Sequence, residues 1–408
     1  MRVSPFHDPF RRGQAAIAAL FCSLGFQYAT WASRIPALKT ELGLSPAQVG
    51  VLLMAAGVGA AVSFPLVAHL MRRLGSRRLA LLSQLCLALA LPALAAAPDY
   101  RTALLVMCVD GVLVGCLNVA MNAQGAELEA RHQRNTMAKL HATFSAGSLL
   151  AALVASAMNA VTPSVGAHFA LALALLVALG LSARTGLLPD AAPAGPAGPA
   201  GGERRRRWSL PTRLTLWMCC AMVFGTVAEG AMNDWSTLYL EDIAGASAEL
   251  APLGIAVVSG AMLVARIFAD GWRLRWGDRR VVLTGSALAA AALALALVGG
   301  GVLPALLGFA CVGLGVAAVT PCVYAAAARQ GSDALTLVAA MGTTGLLAGP
   351  PLIGFLADAS DLAWGMGAVA ACALVVSLCA TRIRWEPAPA GKGADTAPAT
   401  RPAPPAAP

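Results

Sequence analysis

The sequence predicts an all-α polytopic membrane protein with twelve transmembrane helices in two pseudo-symmetric six-helix halves. Its composition is the first reason, because 58% of the 408 residues are hydrophobic and 12% are charged, whereas about 25% is charged in a typical soluble chain. The second reason is length, since the apolar runs are about 20 residues long, as a helix needs to cross hydrocarbon. The third is a Pro/Gly-rich segment that divides these runs into two sets of six.

The apolar runs predict where each span begins and ends. The predicted spans are 13–33, 47–70, 79–97, 102–124, 138–160, 164–184, 214–239, 251–271, 280–299, 302–326, 335–356 and 362–382. The predicted domains are an N-terminal cytoplasmic tail (1–12), a first half (13–186), a flexible cytoplasmic linker (187–212), a second half (213–384) and a disordered cytoplasmic tail (385–408). No connection between the spans is long enough to form a soluble domain.

The basic residues predict the orientation. Of the 29 Lys and Arg residues, Arg34, Lys39 and Arg101 fall on one side, Arg266 lies inside a span, and all others fall on the opposite side. Short cytoplasmic loops carry an excess of Lys and Arg, so both termini are expected in the cytoplasm and the protein in the bacterial inner membrane. The net charge of +9 then reflects orientation and contact with lipid headgroups, so no nucleic-acid partner is expected.

Several kinds of chemistry lack their sequence signals. The ten cysteines all fall inside predicted spans without a CxxC pair, so they predict neither a metal site nor a disulfide framework. The chain has no Gly-x-x-x-x-Gly-Lys-Ser/Thr loop, no His-Glu-x-x-His and no Gly-x-Ser-x-Gly. We therefore expect no cofactor, no enzyme activity and no ATP-driven pump. A monomer is expected.

The two halves resemble each other. The segment around Trp31 matches the segment around Trp235, and each is followed about 40 residues later by a glycine and a basic pair, at 75–78 and 277–280. Parallel repeats with a long central cytoplasmic loop are typical of transporters whose halves rock about a site near the membrane midplane.

Five strings carry a resemblance to a known family: ATWASRIPALKTELGLS (29–45), NVAMNAQ (118–124), KLHATFSAGSL (139–149), EGAMNDWSTLYL (229–240) and GPPLIGFLAD (349–358). The chain resembles the major facilitator superfamily over about residues 11–384, and these strings are similar to its MosC/YbjJ-like branch. That branch is related to sugar permeases such as the fucose permeases, and one member type is associated with rhizopine, an inositol-amine derivative. The resemblance implies transport of a small polar solute, with sugar symport as one form.

A charged loop motif of this superfamily follows its second span. Here Gly75, Arg77 and Arg78 match that motif, while an arginine stands where its acid is expected. In the second half, Arg266 and Asp270 are spaced i and i+4, which places them on one helix face. These five residues are gating candidates. The alternative for Arg266 and Asp270 is an ordinary intrahelical pair that allows an arginine inside a span.

Carboxylates inside apolar spans predict proton coupling, because an isolated charge in hydrocarbon needs a partner, water or a proton. Glu229 lies about 20 Å from the start of its span at 1.5 Å per residue. It belongs to a polar stripe made of Thr226, Glu229, Asn233 and Ser236, which is expected to face a cavity, while Asp234 points about 140° away. Glu229 and then Asp110 are the proton-coupling candidates. Alternatively, Glu229 is a structural acid bonded to an amide of the fourth span, from Asn118, Asn122 or Gln124.

A sugar-like solute needs amides, hydroxyls and an aromatic platform, because each buried hydroxyl must be paired. The substrate-binding candidates are Gln27, Tyr28, Trp31, Asn118, Asn122 and Asn233. Alternatively, Trp31 anchors the helix at the membrane interface and the asparagines join helices. The interface is also the favoured position for Trp235 and Tyr239.

Together these patterns predict a secondary active transporter that moves a small polar solute by alternating access and is coupled to protons. Its partners are then the solute, protons and membrane lipids. The alternatives are an exporter of drugs or metabolites with the same fold, and a membrane solute sensor that does not transport.

Overall fold

The computed structural model describes residues 8–134, 136–189 and 212–385, and the secondary structure within these ranges is helical. The helices are α1 (Pro9–Ala32), α2 (Ile35–Glu41), α3 (Pro46–Ala95), α4 (Tyr100–His132), α5 (Met137–Val161), α6 (Val165–Arg184), α7 (Arg213–Asp242), α8 (Leu253–Trp276), α9 (Asp278–Gly299), α10 (Val302–Val316), α11 (Val319–Ala328), α12 (Ser332–Ala359) and α13 (Leu362–Arg382). Nearly all of the predicted linker and C-terminal tail lies outside the described residues.

Twelve segments cross the membrane within the described ranges. Eleven helical stretches there are long and apolar enough to do so, with α10 and α11 together forming one of them. The 50-residue α3 is about 75 Å long at 1.5 Å per residue, more than twice the thickness of hydrocarbon. At Gly75 its backbone leaves the helical region, with φ 74° and ψ 170°. Helix α3 therefore supplies two crossings, which are the second and third predicted spans.

The tenth span differs from its prediction as one continuous helix. It divides into α10 and α11, with the break between Val316 and Val319. Pro321 lies in the first turn of α11, and because proline has no N–H, it cannot donate to the carbonyl of Ala317 four residues before it. The loss of that hydrogen bond accounts for a break at this point.

The repeat predicted from the sequence is visible in the packing. Helix α1 packs against α5 and α6, and α7 packs in the same way against α12 and α13. Gly75 and Gly277 both have positive φ, 74° and 78°, at the turn between the second and third segments of each half. Two separate stretches of sequence thus build the same turn from the same residue type.

We call the membrane face that holds both ends of the described chain the basic side, because the Gly75 and Gly277 turns and their arginines lie there. The other face is the opposite side. Helices α1, α5, α7 and α12 start at the basic side, whereas α4 and α8 start at the opposite side, as follows from their order along the chain. This alternation gives the depth of each candidate residue.

The two tryptophans that mark the repeat are core residues. Trp31 is 4% exposed and Trp235 is 0% exposed, and Tyr239 is also buried. The expectation that these rings anchor the helices at the lipid interface is therefore wrong. The reason is that α1 and α7 pack against other helices around most of their circumference, so the polar ends of the rings are enclosed with them.

Candidate solute pathway and its carboxylates

Side-chain bonds join the two halves at the opposite side. Lys39 of α2 lies 2.5 Å from Asp242 at the end of α7. Ser156 and Asn159 of α5 each donate at 2.5 Å to a backbone carbonyl of the loop after α7, those of Glu249 and Ala248. These bonds connect first-half helices to the end of α7 and the loop that follows it.

The backbones of the two halves also meet closely at the opposite side. A Cβ atom at Gly50 of α3 would lie 2.8 Å from the carbonyl oxygen of Pro350 in α12, and one at Gly354 would lie 2.7 Å from the carbonyl oxygen of Pro46. Contacts this short exclude any side chain. The two helices therefore form a closed seam there.

Deeper in the membrane, a carboxylate joins the halves. The hydroxyl of Tyr28 on α1 donates a hydrogen bond to Asp234 on α7. Asp234 is 5% exposed, and the ion pairs of the described chain do not include it. The Tyr28 ring packs edge-on against Trp31, with 5.0 Å between the ring centroids. Asp234 is thus a buried acid whose partner belongs to the other half.

Asp110 has a partner within the first half. Gln27 Nε2 donates to its Oδ1 at 2.6 Å, and both side chains are buried. The side-chain amide oxygen of Gln27, Oε1, has no hydrogen-bond partner among the described residues. Helix α4 holds Asp110 at this position because Gly111 packs directly on the backbone of Ala56 in α3.

Glu229 has a cationic partner in the adjacent helix of the same half. Arg266 Nη2 of α8 lies 2.9 Å from its Oε1, and each side chain is 24% exposed. The Nη1 atom of Arg266 also donates to the hydroxyl of Ser145 on α5. Because Ser145 belongs to the first half, this cluster of Glu229, Arg266 and Ser145 also connects the two halves, closer to the middle of the membrane.

The predicted pair of Arg266 with Asp270 is wrong. Asp270 lies 3.7 Å from Arg273 and its side chain is 77% exposed, while Arg273 also binds Asp278 at 2.8 Å. The i, i+4 spacing permitted the predicted pair. The Glu229 side chain of the adjacent α7 is 24% exposed and that of Asp270 is 77% exposed, so Arg266 pairs with the carboxylate that is less accessible to water.

The five gating candidates therefore do not form one group. Arg77 donates at 2.9 Å to the carbonyl of Arg184 at the end of α6, Gly75 forms the preceding turn, and Arg78 is exposed. These three lie at the basic side of the first half, whereas Arg266 lies deep in the second half.

The polar stripe of α7 (Thr226, Glu229, Asn233 and Ser236) is buried against other helices at its two ends. Thr226 is buried and donates to the carbonyl of Gly342 in α12, and Ser236 is buried against Gly254 of α8. Asn233 is half-buried and donates to the carbonyl of Glu229. The expectation that the whole stripe faces a cavity is wrong at both of its ends.

The alternative amide partners proposed for Glu229 are bound elsewhere. Asn122 donates to the side-chain oxygen of Asn118 at 2.6 Å, and Gln124 binds Ser76 and the backbone of Leu188. Asn118 is exposed, and it is nine residues from the exposed Val109, which corresponds to about 180° around the helix. The two asparagine amides thus lie on the face of α4 opposite an apolar exposed face.

The sequence matches the family model of the Major Facilitator Superfamily over residues 16–332 and 259–407, which together cover most of the chain. The chain belongs to the major facilitator superfamily.

Relatives of similar length confirm this membership and its MosC-like branch. The chain is 30% identical over 374 residues to an uncharacterized MFS-type transporter of Yersinia pestis, with 91% of this chain and 95% of the relative covered. It is also 30% identical over 379 residues to the membrane protein MosC of Rhizobium meliloti, with 88% and 89% covered. This superfamily protein is thus a multi-pass membrane transporter.

Solved structures share the superfamily fold. The nucleoside transporter NupG superposes with a TM-score of 0.70 at 14% identity, covering 92% of this chain and 98% of that one. A bacterial homologue of the human lysosomal transporter Spinster, in an inward-facing and occupied conformation, gives 0.69 at 14% identity over 93% and 99% of the two chains. These likenesses confirm the predicted architecture.

The site of this superfamily member contains one acid that the sequence prediction set aside. Asp234 was expected to point away from the polar stripe and was not among the proton-coupling candidates. It does point away, but towards α1, and α7 continues for two further turns to Asp242. The apolar residues after it, in WSTLYL (235–240), were the available signal that this acid is inside the span.

Proposed function

We propose that this transporter moves a small polar solute, sugar-like or inositol-like in its chemistry, and couples that movement to protons by alternating access. The basic side is then the cytoplasm, and the membrane is the bacterial inner membrane. The observation that carries the proposal is the position of two carboxylates between the halves: Asp234 bound to Tyr28, and Glu229 within the cluster with Arg266 and Ser145.

The bond between Tyr28 and Asp234 must break and form again during alternating access. The halves can separate at the opposite side only if the bond from Tyr28 to Asp234 breaks, because its two atoms belong to different halves. A carboxylate accepts a stronger hydrogen bond than the corresponding neutral acid does. Protonation of Asp234 therefore weakens this bond and favours separation of the halves.

Glu229 and Asp110 have different roles in this proposal. Glu229 is held by Arg266, so protonation of Glu229 releases a cation that must find another partner. A solute with several hydroxyls, or with a carboxylate, can supply that partner. Asp110 is bound to an amide within one half, so its protonation affects the position of Gln27 more directly than the contact between halves.

The groups available for the solute are mainly neutral hydrogen-bonding groups. They are the exposed or half-buried side chains of Asn118, Asn122, Asn233 and Tyr28. Gln27 and the Trp31 ring beside Tyr28 are buried, so they reach the solute only if the closed state opens. Neutral amides suit hydroxyl groups because each amide both donates and accepts. This chemistry favours a polyhydroxylated solute over a hydrophobic one.

Proton flux in proteoliposomes tests the proposal. Purified protein is reconstituted with a pH-sensitive dye inside, and sugars, inositols and amino-inositols are added outside under a membrane potential. We expect at least one solute to acidify the interior in the parent protein and much more weakly in Asp234→Asn. Asp358→Asn is the matched control, because Asp358 is an exposed acid outside the site.

Three results would contradict the proposal. Solute accumulation without any pH change would show that coupling does not involve protons. If thermal shift on the same preparation showed saturable solute binding but the proteoliposomes showed no solute or proton flux, the protein would be a sensor. An Asp234→Asn variant that matches the parent in both assays would exclude Asp234 as the coupling acid.

A further inference from the structure

An open cleft lies at the basic side of the first half, away from the proposed solute pathway. Its volume is about 630 Å³, and Phe10, Arg11, Gln14, Arg134 and Lys139 line it. These residues come from the start of α1, the α4–α5 connection and the start of α5. Three of the five side chains are cationic, and none belongs to the carboxylate contacts described above.

The walls of this cleft are held by specific contacts. Gln14 Nε2 donates at 2.5 Å to the hydroxyl of Thr136, which joins α1 to the α4–α5 connection. The guanidinium of Arg134 lies 5.1 Å from the centroid of the Phe10 ring and 3.5 Å from Asp8 Oδ2. Because the Arg134 guanidinium is already packed on an aromatic ring, it loses little additional side-chain conformational entropy when it binds a ligand.

The charges in the cleft are not balanced. Asp8 partly neutralises Arg134, and Glu129 accepts hydrogen bonds from the backbone amides of Thr136 and Met137 instead of binding a cation. Arg11 and Lys139 are exposed and form no ion pair within the described part of the chain. The cleft therefore presents an excess of two positive charges to any ligand that enters it.

We propose that this cleft binds a phosphate group. Phosphate offers several strong acceptor oxygens, which match two guanidinium forks and one ammonium group better than a neutral solute does. The cleft lies beside the membrane boundary, at the ends of α1 and α5. Either the headgroup of an anionic phospholipid or a soluble phosphorylated compound therefore reaches it, and the two sources share this chemistry.

The test uses the full-length protein in nanodiscs and the double variant Arg11→Gln/Lys139→Gln. The matched control is Arg279→Gln/Arg280→Gln, which removes two exposed charges from the basic side of the second half. In phosphatidylcholine nanodiscs, inorganic pyrophosphate is titrated by calorimetry. In a second arm, phosphatidylglycerol retained by the protein is counted by native mass spectrometry.

We expect the cleft variant to bind the phosphate probe about tenfold more weakly or worse, because two charge-assisted hydrogen bonds are lost, and the control to bind as the parent does. Saturable pyrophosphate binding identifies a soluble ligand, and selective retention of phosphatidylglycerol without it identifies a lipid. Absence of both, or equal loss in both double variants, overturns the proposal. Lys139→Gln alone, checked for a monodisperse elution profile, provides a second variant with the milder change.

Discussion

At the scale of single residues, the partner of each intramembrane acid determines what protonation does to it. A charge in mid-membrane costs at least about 2.5 to 3.5 kcal/mol, and the three acids meet this cost differently. Glu229 binds a cation, Asp110 an amide and Asp234 a phenol. Protonating Glu229 leaves Arg266 without its counter-ion, whereas protonating either aspartate leaves no cation unpaired.

The Tyr28 hydroxyl provides the first prediction. Tyr28→Phe removes the donor to Asp234 and leaves a buried carboxylate unsatisfied in the closed state, at a cost of about 1 to 3 kcal/mol. We expect the opposite side to open more often. The measurement is the maleimide reaction rate of a cysteine introduced in a cysteine-free background at Ala246, which is 8% exposed in the loop after α7; this rate should rise about tenfold.

The control for that measurement is Tyr239→Phe. Tyr239 is also buried on α7, but its ring packs edge-on against Phe309 of the same half. This variant should react at the parent rate. If Tyr28→Phe also reacted at the parent rate while the protein remained folded, the bond to Asp234 would have no part in closing the opposite side.

The ion pair provides the second prediction, which a double-mutant cycle tests. Glu229→Gln and Arg266→Gln should each lower the melting temperature, because each leaves one partly buried charge without its partner. The double variant should melt closer to the parent than either single variant does. Additive losses in detergent-solubilised protein would show that the two side chains are not energetically coupled.

At the scale of elements, the sequence predicted the crossings well and the interruptions poorly. Apolar runs locate spans because each helix must bury about 20 residues in hydrocarbon, and the twelve predicted spans correspond to the observed crossings. The short α2, the fusion of two spans in α3 and the division into α10 and α11 depend on turn conformation and on single prolines. Those features do not alter average hydrophobicity.

The candidate site was predictable to a similar degree. The acids and amides were identifiable because polar groups in spans are rare. Their pairing was not, since Glu229 with Arg266 and Tyr28 with Asp234 are contacts between helices that are far apart in sequence. Helical periodicity gives the direction in which a side chain points from the axis of its helix, but it does not identify which helix lies in that direction.

The glycine turns provide the third prediction. Gly277 has φ 78° and ψ 154°, a backbone region that is populated almost entirely by glycine, so a residue with a Cβ atom there costs about 1 to 3 kcal/mol. Gly277→Ala should therefore lower the melting temperature. Gly271→Ala is the matched control, because Gly271 lies inside α8, six residues before Gly277, with no atom within 4 Å of its added Cβ, so alanine there should be neutral or slightly stabilising. Equal melting temperatures for the two variants would contradict the assigned turn conformation.

At the scale of the whole molecule, the contacts between the halves differ in how much they can contribute. The pair of Lys39 and Asp242 is 24% and 36% exposed, and exposed pairs contribute about 0 to 1 kcal/mol. The seam of α3 and α12 instead brings backbones together over Gly50 and Gly354. Close packing of this kind is the main source of helix association in membranes, so the seam should determine whether the opposite side closes.

The seam provides the last prediction, which uses Gly50→Val. The added side chain would begin 2.8 Å from the carbonyl oxygen of Pro350, so α3 and α12 cannot approach to their present distance and the transporter should remain open at the opposite side. Spin labels at Thr40 and Glu249 should then show a longer separation, and solute exchange across proteoliposomes should be lost while solute binding persists.

Gly367→Val serves as the control, because no atom lies within 4 Å of a Cβ there, and Lys39→Gln should retain most exchange. If Gly50→Val exchanged solute at the parent rate with unchanged label distances, closure would depend on the side-chain bonds and not on the backbone seam.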